Sequence, residues 1–200
     1  MIRLENVKKS FSGKAVFDIP SFSLDIGFTC LSGASGCGKT TLGRIIAGLE
    51  KFDSGKIDGV VGAPTVLFQE SRLLPTLTAF DNIKIICRKD DDKELARKLF
   101  IRLGFNDDDI KKLPYELSGG MARRVAIIRA VVFAVGQGGS FVLLDEPFTG
   151  LDPEMREVAA DILKEHLSGK TVLVITHDCE ECELLGGNGV EFSSLCKANG

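Results

Sequence analysis

The sequence predicts an α/β domain in which a buried parallel sheet is interrupted by a helical insertion. Short β-branched or apolar runs at residues 65–68, 141–144 and 171–175 are of the kind that fills a sheet covered on both faces. Helical spacing dominates between the first two of these runs, and a glycine-rich loop joins a strand-like stretch to a helix-like one.

In chain order, residues 2–7 alternate as a strand, 21–26 and 28–31 read as two more, and 42–49 reads as the helix after the glycine-rich loop. The insertion, about 71–135, holds helical patterns at 79–88, 93–103 and 118–135, joined by polar segments 89–92 and 106–112. The aspartate runs 90–92 and 107–109 lack the alternating ligands of a calcium loop and read as solvated loops. A final strand is expected at 189–193.

A chain of 200 residues, 44% hydrophobic, is long enough for a single domain over 1–200 with its own core. A net charge of -3 and scattered Lys and Arg give no footprint for nucleic acid. The longest apolar stretch, 125–135, is short and broken by Arg129, and Met1-Ile2-Arg3-Leu4-Glu5 lacks the apolar centre of a signal peptide. The expectation is a chain that neither spans a membrane nor is exported. Six unevenly spaced cysteines read as reduced thiols of a cytoplasm. Cys179 and Cys182, downstream of His177, have metal-ligand spacing, but without a second pair the reading is a helical turn.

Gly33, Ala34, Ser35, Gly36, Cys37, Gly38, Lys39, Thr40 and Thr41 form a complete phosphate-binding loop. Glycines let the backbone approach phosphates, the amides make an anion nest, and the next helix adds its positive end. Lys39 is the candidate partner of the β- and γ-phosphates, and Thr40 of Mg²⁺. Cys37, between glycines and beside that lysine, is a candidate thiolate. The run Phe-Val-Leu-Leu-Asp-Glu-Pro at 141–147 puts two acids at the end of a buried strand, where open parallel sheets bind ligands. Asp145 is the candidate acid near Mg²⁺ and Glu146 the candidate general base.

Leu117-Ser118-Gly119-Gly120-Met121 resembles the signature sequence of ATP-binding cassette proteins. The order of phosphate loop, Gln69, signature, Asp145-Glu146, Leu151-Asp152 and His177 is similar to that family over nearly the whole chain. Ser118 suits a helix cap, and the glycines after it leave amides free for an anion. The resemblance implies a phosphate-loop NTPase core, an N-terminal antiparallel β-subdomain and a helical insertion subdomain. It implies ATP and Mg²⁺ as ligands, with Ser118, Gly119 and Gly120 binding the γ-phosphate held by the opposite subunit of a dimer of two copies. It makes Gln69 a sensor of Mg²⁺ and of the attacking water, Phe11 the adenine platform, His177 the γ-phosphate switch and Asp152 a dimer contact. Asp152 also reads as a helix cap ahead of Pro153.

Met121 stands where glutamine is common, Phe11 where tyrosine is, and Thr149-Gly150 where serine-alanine or serine-glycine is usual. Residues 67–75 resemble ATPases of the nitrate, sulfonate and taurine importer group, including relatives that import thiamine precursors. That likeness implies a membrane permease, a solute-binding protein, and a place on the inner face of the cell membrane. The short tail after the final strand implies a subunit without a C-terminal regulatory domain. A cassette serving repair or translation is the alternative, although such proteins typically show a long coiled-coil insertion or two cassettes. A phosphate-loop kinase or GTPase leaves 117–120 unexplained. The apolar loop Leu73-Leu74-Pro75-Thr76-Leu77 reads either as core beneath the insertion or as a groove for a permease helix.

Overall fold

The computed structural model describes residues 1–197. Alternating burial makes Ile2–Phe11 the first strand, β1, with Ile2, Leu4 and Val7 facing inward. It turns through Ser12 and Gly13, both at positive φ (50° and 80°), into β2, Lys14–Leu24. Positive φ at both central residues matches the twist of a two-residue hairpin. With β4, Ser54–Asp58, on the other flank, these strands make an antiparallel sheet of order β2-β1-β4. Pro20 is tolerated because β2 lies at the sheet edge.

The larger sheet is parallel, in the order β5 (Thr65–Leu67), β6 (Phe141–Asp145), β7 (Thr171–Ile175), β3 (Gly27–Ser32), β8 (Asn188–Glu191). Every residue of β6 and β7 is buried, as expected where both faces are covered. Alternate side chains feed two cores: Phe141, Leu143, Leu173 and Ile175 join β1, β2 and α1 (Lys39–Ile46), whereas Val142, Leu144, Val172 and Val174 face the other way. The second core is roofed by α3 (Asp90–Arg102), α4 (Gly119–Gln137), α5 (Pro153–Leu167) and α6 (Cys179–Leu185), with short α2 (Asp81–Lys84) at its margin. The chain reaches the end of the described region through α7, Phe192–Leu195. Among the described residues, no helix is long and apolar enough to cross a membrane.

The architecture is the expected one, with local corrections. Segment 90–92 is the first turn of α3 rather than a solvated loop. Asp92 is buried, and its Oδ2 accepts the Arg88 and Lys89 amides at 2.7 and 3.1 Å. Acids are favoured at a helix start because four amides there lack helical partners. Only Asp81–Lys84 of segment 79–88 is α-helical, and α1 stops at Ile46. The last strand is Asn188–Glu191, so Phe192 and Ser193 are helical. Strand β4 and the first half of β2 were not among the expected elements; their ladders depend on β1 between them.

The two amide bonds hold the Asp92 carboxyl below its ordinary range. Their contribution is therefore present above the unfolded carboxylate pKa and lost as pH falls through the lowered folded value. At neutral pH, Asp92→Ala should cost about 1 kcal/mol in denaturant unfolding. The gap from wild type should close in acid, and a gap that persists there would mean the carboxylate is not its source.

Candidate functional site

The carboxyl ends of β3, β6 and β7 open on one cavity of about 560 Å³. Its wall includes Gly33, Ser35, Gly36, Gly38, Lys39, Thr40 and Thr41 of the glycine-rich loop, together with Phe11, Gln69, Asp145, Glu146 and His177. Positions spread from residue 11 to residue 177 are thus brought together, most of them by parallel strands that end side by side.

The loop leaves β3 and enters α1 at Gly38, whose φ is 114°. A Cβ there would stand 2.9 Å from Val16 Cγ1, so Gly38 meets both a backbone and a space requirement. Lys39 is buried and donates to the Gly33 and Ala34 carbonyls at 2.7 and 2.9 Å, folding its ammonium back over its own loop. Thr40 Oγ1 lies 3.4 Å from Asp145 Oδ1. Burial lifts the Asp145 carboxyl above its ordinary range, opposed by the Thr40 hydroxyl. A buried carboxylate with one long hydrogen bond, beside a hydroxyl and the Gln69 amide, is a hard-oxygen set suited to Mg²⁺.

Glu146 sits in the left-handed region, φ 51°, unusual for a residue with a side chain. Its amide extends the β6–β7 ladder to the Ile175 carbonyl at 2.9 Å. Its Oε1 is 2.9 Å from Nδ1 of His177, so candidate base and candidate switch are already paired. Behind His177, Thr176 donates to the buried Glu181 carboxylate at 2.6 Å, which anchors the start of the switch segment. Burial pushes that carboxyl up.

Ser118, Gly119 and Gly120 lie outside this cavity. Ser118 caps α4, its Oγ accepting the Met121 amide at 3.1 Å, while Ser118 and Gly119 remain exposed. Gly120 has to be glycine for a packing reason, since a Cβ would lie 2.8 Å from the Gly150 carbonyl. Asp152 caps α5 by accepting the Met155 amide at 2.9 Å, with Pro153 next. Phe11 is 48% exposed at the cavity rim, with Lys9 Nζ 4.3 Å from its ring centre. Cys37 does not line the cavity; its thiol packs near Gly33 within the core that holds Phe192, 3.9 Å from Lys39 Nζ. Cys179 is exposed and Cys182 buried, its thiol 3.4 Å from the Gly187 carbonyl.

Sequence reasoning missed Val16, Thr149 and Ile175 in the wall, and it missed Arg123. That guanidinium is buried beneath the site and donates to carbonyls on both sides of it. Desolvation pushes its pKa down to about 10, which leaves it cationic at neutral pH. The only sequence signal is a charge inside an apolar helix, masked by Arg124 beside it.

Fold and site together define a phosphate-loop nucleotide-binding cassette. The family model described as "ABC transporter" matches residues 21–149. Among curated proteins, the aliphatic sulfonates import ATP-binding protein SsuB 2 of Pseudomonas syringae is 38% identical over 92% of this chain and 66% of its own. The ergothioneine transport ATP-binding protein EgtV of Helicobacter pylori is 32% identical over 98% of each chain. The dimeric post-hydrolysis structure of the ATP-binding cassette MJ0796, bound to ADP and Pi, superposes with a TM-score of 0.80 at 25% identity, covering 96% of this chain and 94% of that one. The chain belongs to the ABC transporter family, and its fold is that of the family's ATPase cassette. It spans about two thirds of the length of the sulfonate relative and nearly all of EgtV.

The Glu146 hydrogen bond raises the His177 pKa. An NMR titration should therefore give His177 a value above 6.5 in the wild type, falling towards 6.5 in Glu146→Gln. With only two histidines in the chain the resonances are readily assigned. The pair forms below that raised pKa and loosens as pH rises through it. A His177 pKa indifferent to Glu146 would show that the contact does not persist in solution.

Proposed function

We propose that this protein is the ATP-hydrolysing subunit of an import-type ABC transporter. Two copies would close on two ATP molecules, each phosphate loop completed by Ser118, Gly119 and Gly120 of the other copy. The carrying observation is a division in space. Lys39, Thr40, Gln69, Asp145, Glu146 and His177 converge on one cavity, while the signature at the start of α4 is exposed outside it.

In this reading Lys39 exchanges the Gly33 and Ala34 carbonyls for the β- and γ-phosphates, and the loop amides take the remaining phosphate oxygens. Phe11, with Lys9 against one face, offers its ring to adenine. Thr40, Asp145 and Gln69 would hold Mg²⁺, which supplies charge neutralisation on the phosphates. Glu146 orients a water and takes its proton, and His177 holds the carboxylate through Nδ1 until the γ-phosphate offers the imidazole a second partner. ATP bridges two copies and ADP does not, so hydrolysis separates them.

The permease contact is assigned to a groove of about 430 Å³ lined by Leu49, Phe68, Leu74, Ile85, Ile86 and Phe133. Phe68, the residue before Gln69, lies in its wall, and the largely apolar lining suits a short apolar helix from a membrane-embedded partner. The leucines of the 73–77 loop divide between the two expected roles. Leu74 is 44% exposed and lines the groove, whereas Leu73 packs on the core. Buried Asn82 fixes this loop by accepting the Leu74 amide at 2.7 Å and donating to the Leu74, Leu77 and Thr78 carbonyls. Attachment through the permease would hold the protein on the cytoplasmic face of the membrane. The likeness to an aliphatic sulfonates import protein and to an ergothioneine transport protein supports import of a small solute, which a solute-binding protein would deliver.

Lys39→Ala should nearly abolish Mg²⁺-dependent ATP hydrolysis. Glu146→Gln should retain ATP binding and lose about 10²–10⁴-fold in turnover. Size-exclusion chromatography should show ATP shifting Glu146→Gln towards a dimer, and a monomer at saturating ATP and high protein concentration would contradict the sandwich. For the groove, Leu74→Ser should weaken permease association while the isolated subunit keeps its ATPase rate and melting temperature. Leu73→Ser should instead lower the melting temperature, and unimpaired transport in a stable Leu74→Ser subunit would remove the groove from the contact.

A further inference from the structure

Arg123 lies in α4, 2% exposed. Its Nε donates to the Pro147 carbonyl at 2.9 Å, Nη1 to Phe68 and Gln69 at 2.5 and 3.1 Å, and Nη2 to Asp145 and Glu146 at 2.8 and 2.6 Å. A guanidinium has five N–H groups in one plane, and here each has a carbonyl. The acceptors belong to two segments far apart in sequence, the loop after β5 and the turn after β6. These segments carry Gln69 and Glu146, the two residues assigned to the attacking water.

The turn after β6 needs such a restraint. Glu146 is held at a φ of 51°, a conformation that persists in a non-glycine residue only when its surroundings over-determine it. The carbonyls of Asp145, Glu146 and Pro147 all point at one guanidinium, so three successive peptide planes are fixed from below. Six residues further along α4, Arg129 donates to the Ser71 and Arg72 carbonyls at 2.8 and 2.9 Å, latching the far end of the Gln69 loop to the same helix.

We infer that Arg123 is a positioning residue for ATP hydrolysis, its planar fork setting the spacing between the Gln69 loop and the Glu146 turn. The inference rests on the ATPase reading above. Arg123 touches no nucleotide in that scheme; it aims the two groups that do. A lysine keeps the charge and most of the stem but cannot reproduce a planar five-donor fork. Misplacing a reacting group by about 1 Å can cost on the order of 10²-fold in rate while leaving substrate affinity alone.

The test pairs steady-state kinetics with hydrogen exchange on Arg123→Lys, with Arg123→Met as a second variant. For Arg123→Lys, kcat should fall by about 10–100-fold with KM for ATP within about threefold of wild type. Without nucleotide, amides of residues 69–71, 146, 148 and 149 should exchange faster in both variants, while those of β3 and α5 keep wild-type rates. Should Arg123→Met fail to fold, the lysine variant decides the matter. Wild-type kcat in Arg123→Lys would overturn the inference. So would exchange that is unchanged at these segments or faster throughout the chain, since the latter marks a merely structural residue. If the wild-type chain hydrolyses no ATP, the ATPase reading fails, and the exchange arm alone decides whether Arg123 fixes the two loops.

Discussion

The phosphate loop, the Asp145-Glu146 pair and His177 are all placed by the buried ribbon β3-β7-β6. Strands covered on both faces cannot carry polar side chains along their length without unpaired donors and acceptors. After Thr171 at the start of β7, the buried residues of β6 and β7 are apolar up to the carboxyl edge, where Asp145 follows Leu144 and Thr176 follows Ile175. The phosphate loop leaves the neighbouring strand at the same edge. Parallel register does the rest, setting Leu31 beside Ile175 and Ile175 beside Asp145. Three unrelated stretches of sequence thereby meet at one cavity.

The helical insertion is tied to this edge by cations rather than by packing alone. From α4, Arg123 reaches the carbonyls under the site, and Arg129 those of the loop beside the groove. The same helix is capped by exposed Ser118, and its Gly120 packs against the Gly150 carbonyl. One rigid element therefore touches the exposed signature, the loop of Gln69 and the turn of Glu146. If a second copy and a permease act on this subunit as proposed, both act on segments that α4 already holds together.

Much of this was legible in the sequence because its signals are local. A complete phosphate loop requires only adjacent residues, and a buried strand ending in Asp-Glu announces the carboxyl edge of a sheet. What escaped is tertiary. Asp92 looks like part of a solvated acidic run until its carboxylate is seen under the Arg88 and Lys89 amides. Arg123 looks like surface charge beside Arg124 until two distant loops converge on it. The pairing of His177 with Glu146 has the same origin, as neither periodicity nor spacing relates residues that far apart. Cys37 borders two environments: its thiol is 3.9 Å from Lys39 Nζ in the phosphate loop, and it packs against the core that includes Phe192.

In the proposed sandwich one chain carries only half of each site. A crystal structure of Glu146→Gln with Mg²⁺ and ATP tests it most directly. Two copies related by a two-fold axis are expected, with each γ-phosphate bound by Lys39 of one copy and, within about 3.2 Å, by Ser118 of the other. ATP fully bound in the Lys39 cavity with Ser118 of neither copy in reach would contradict it.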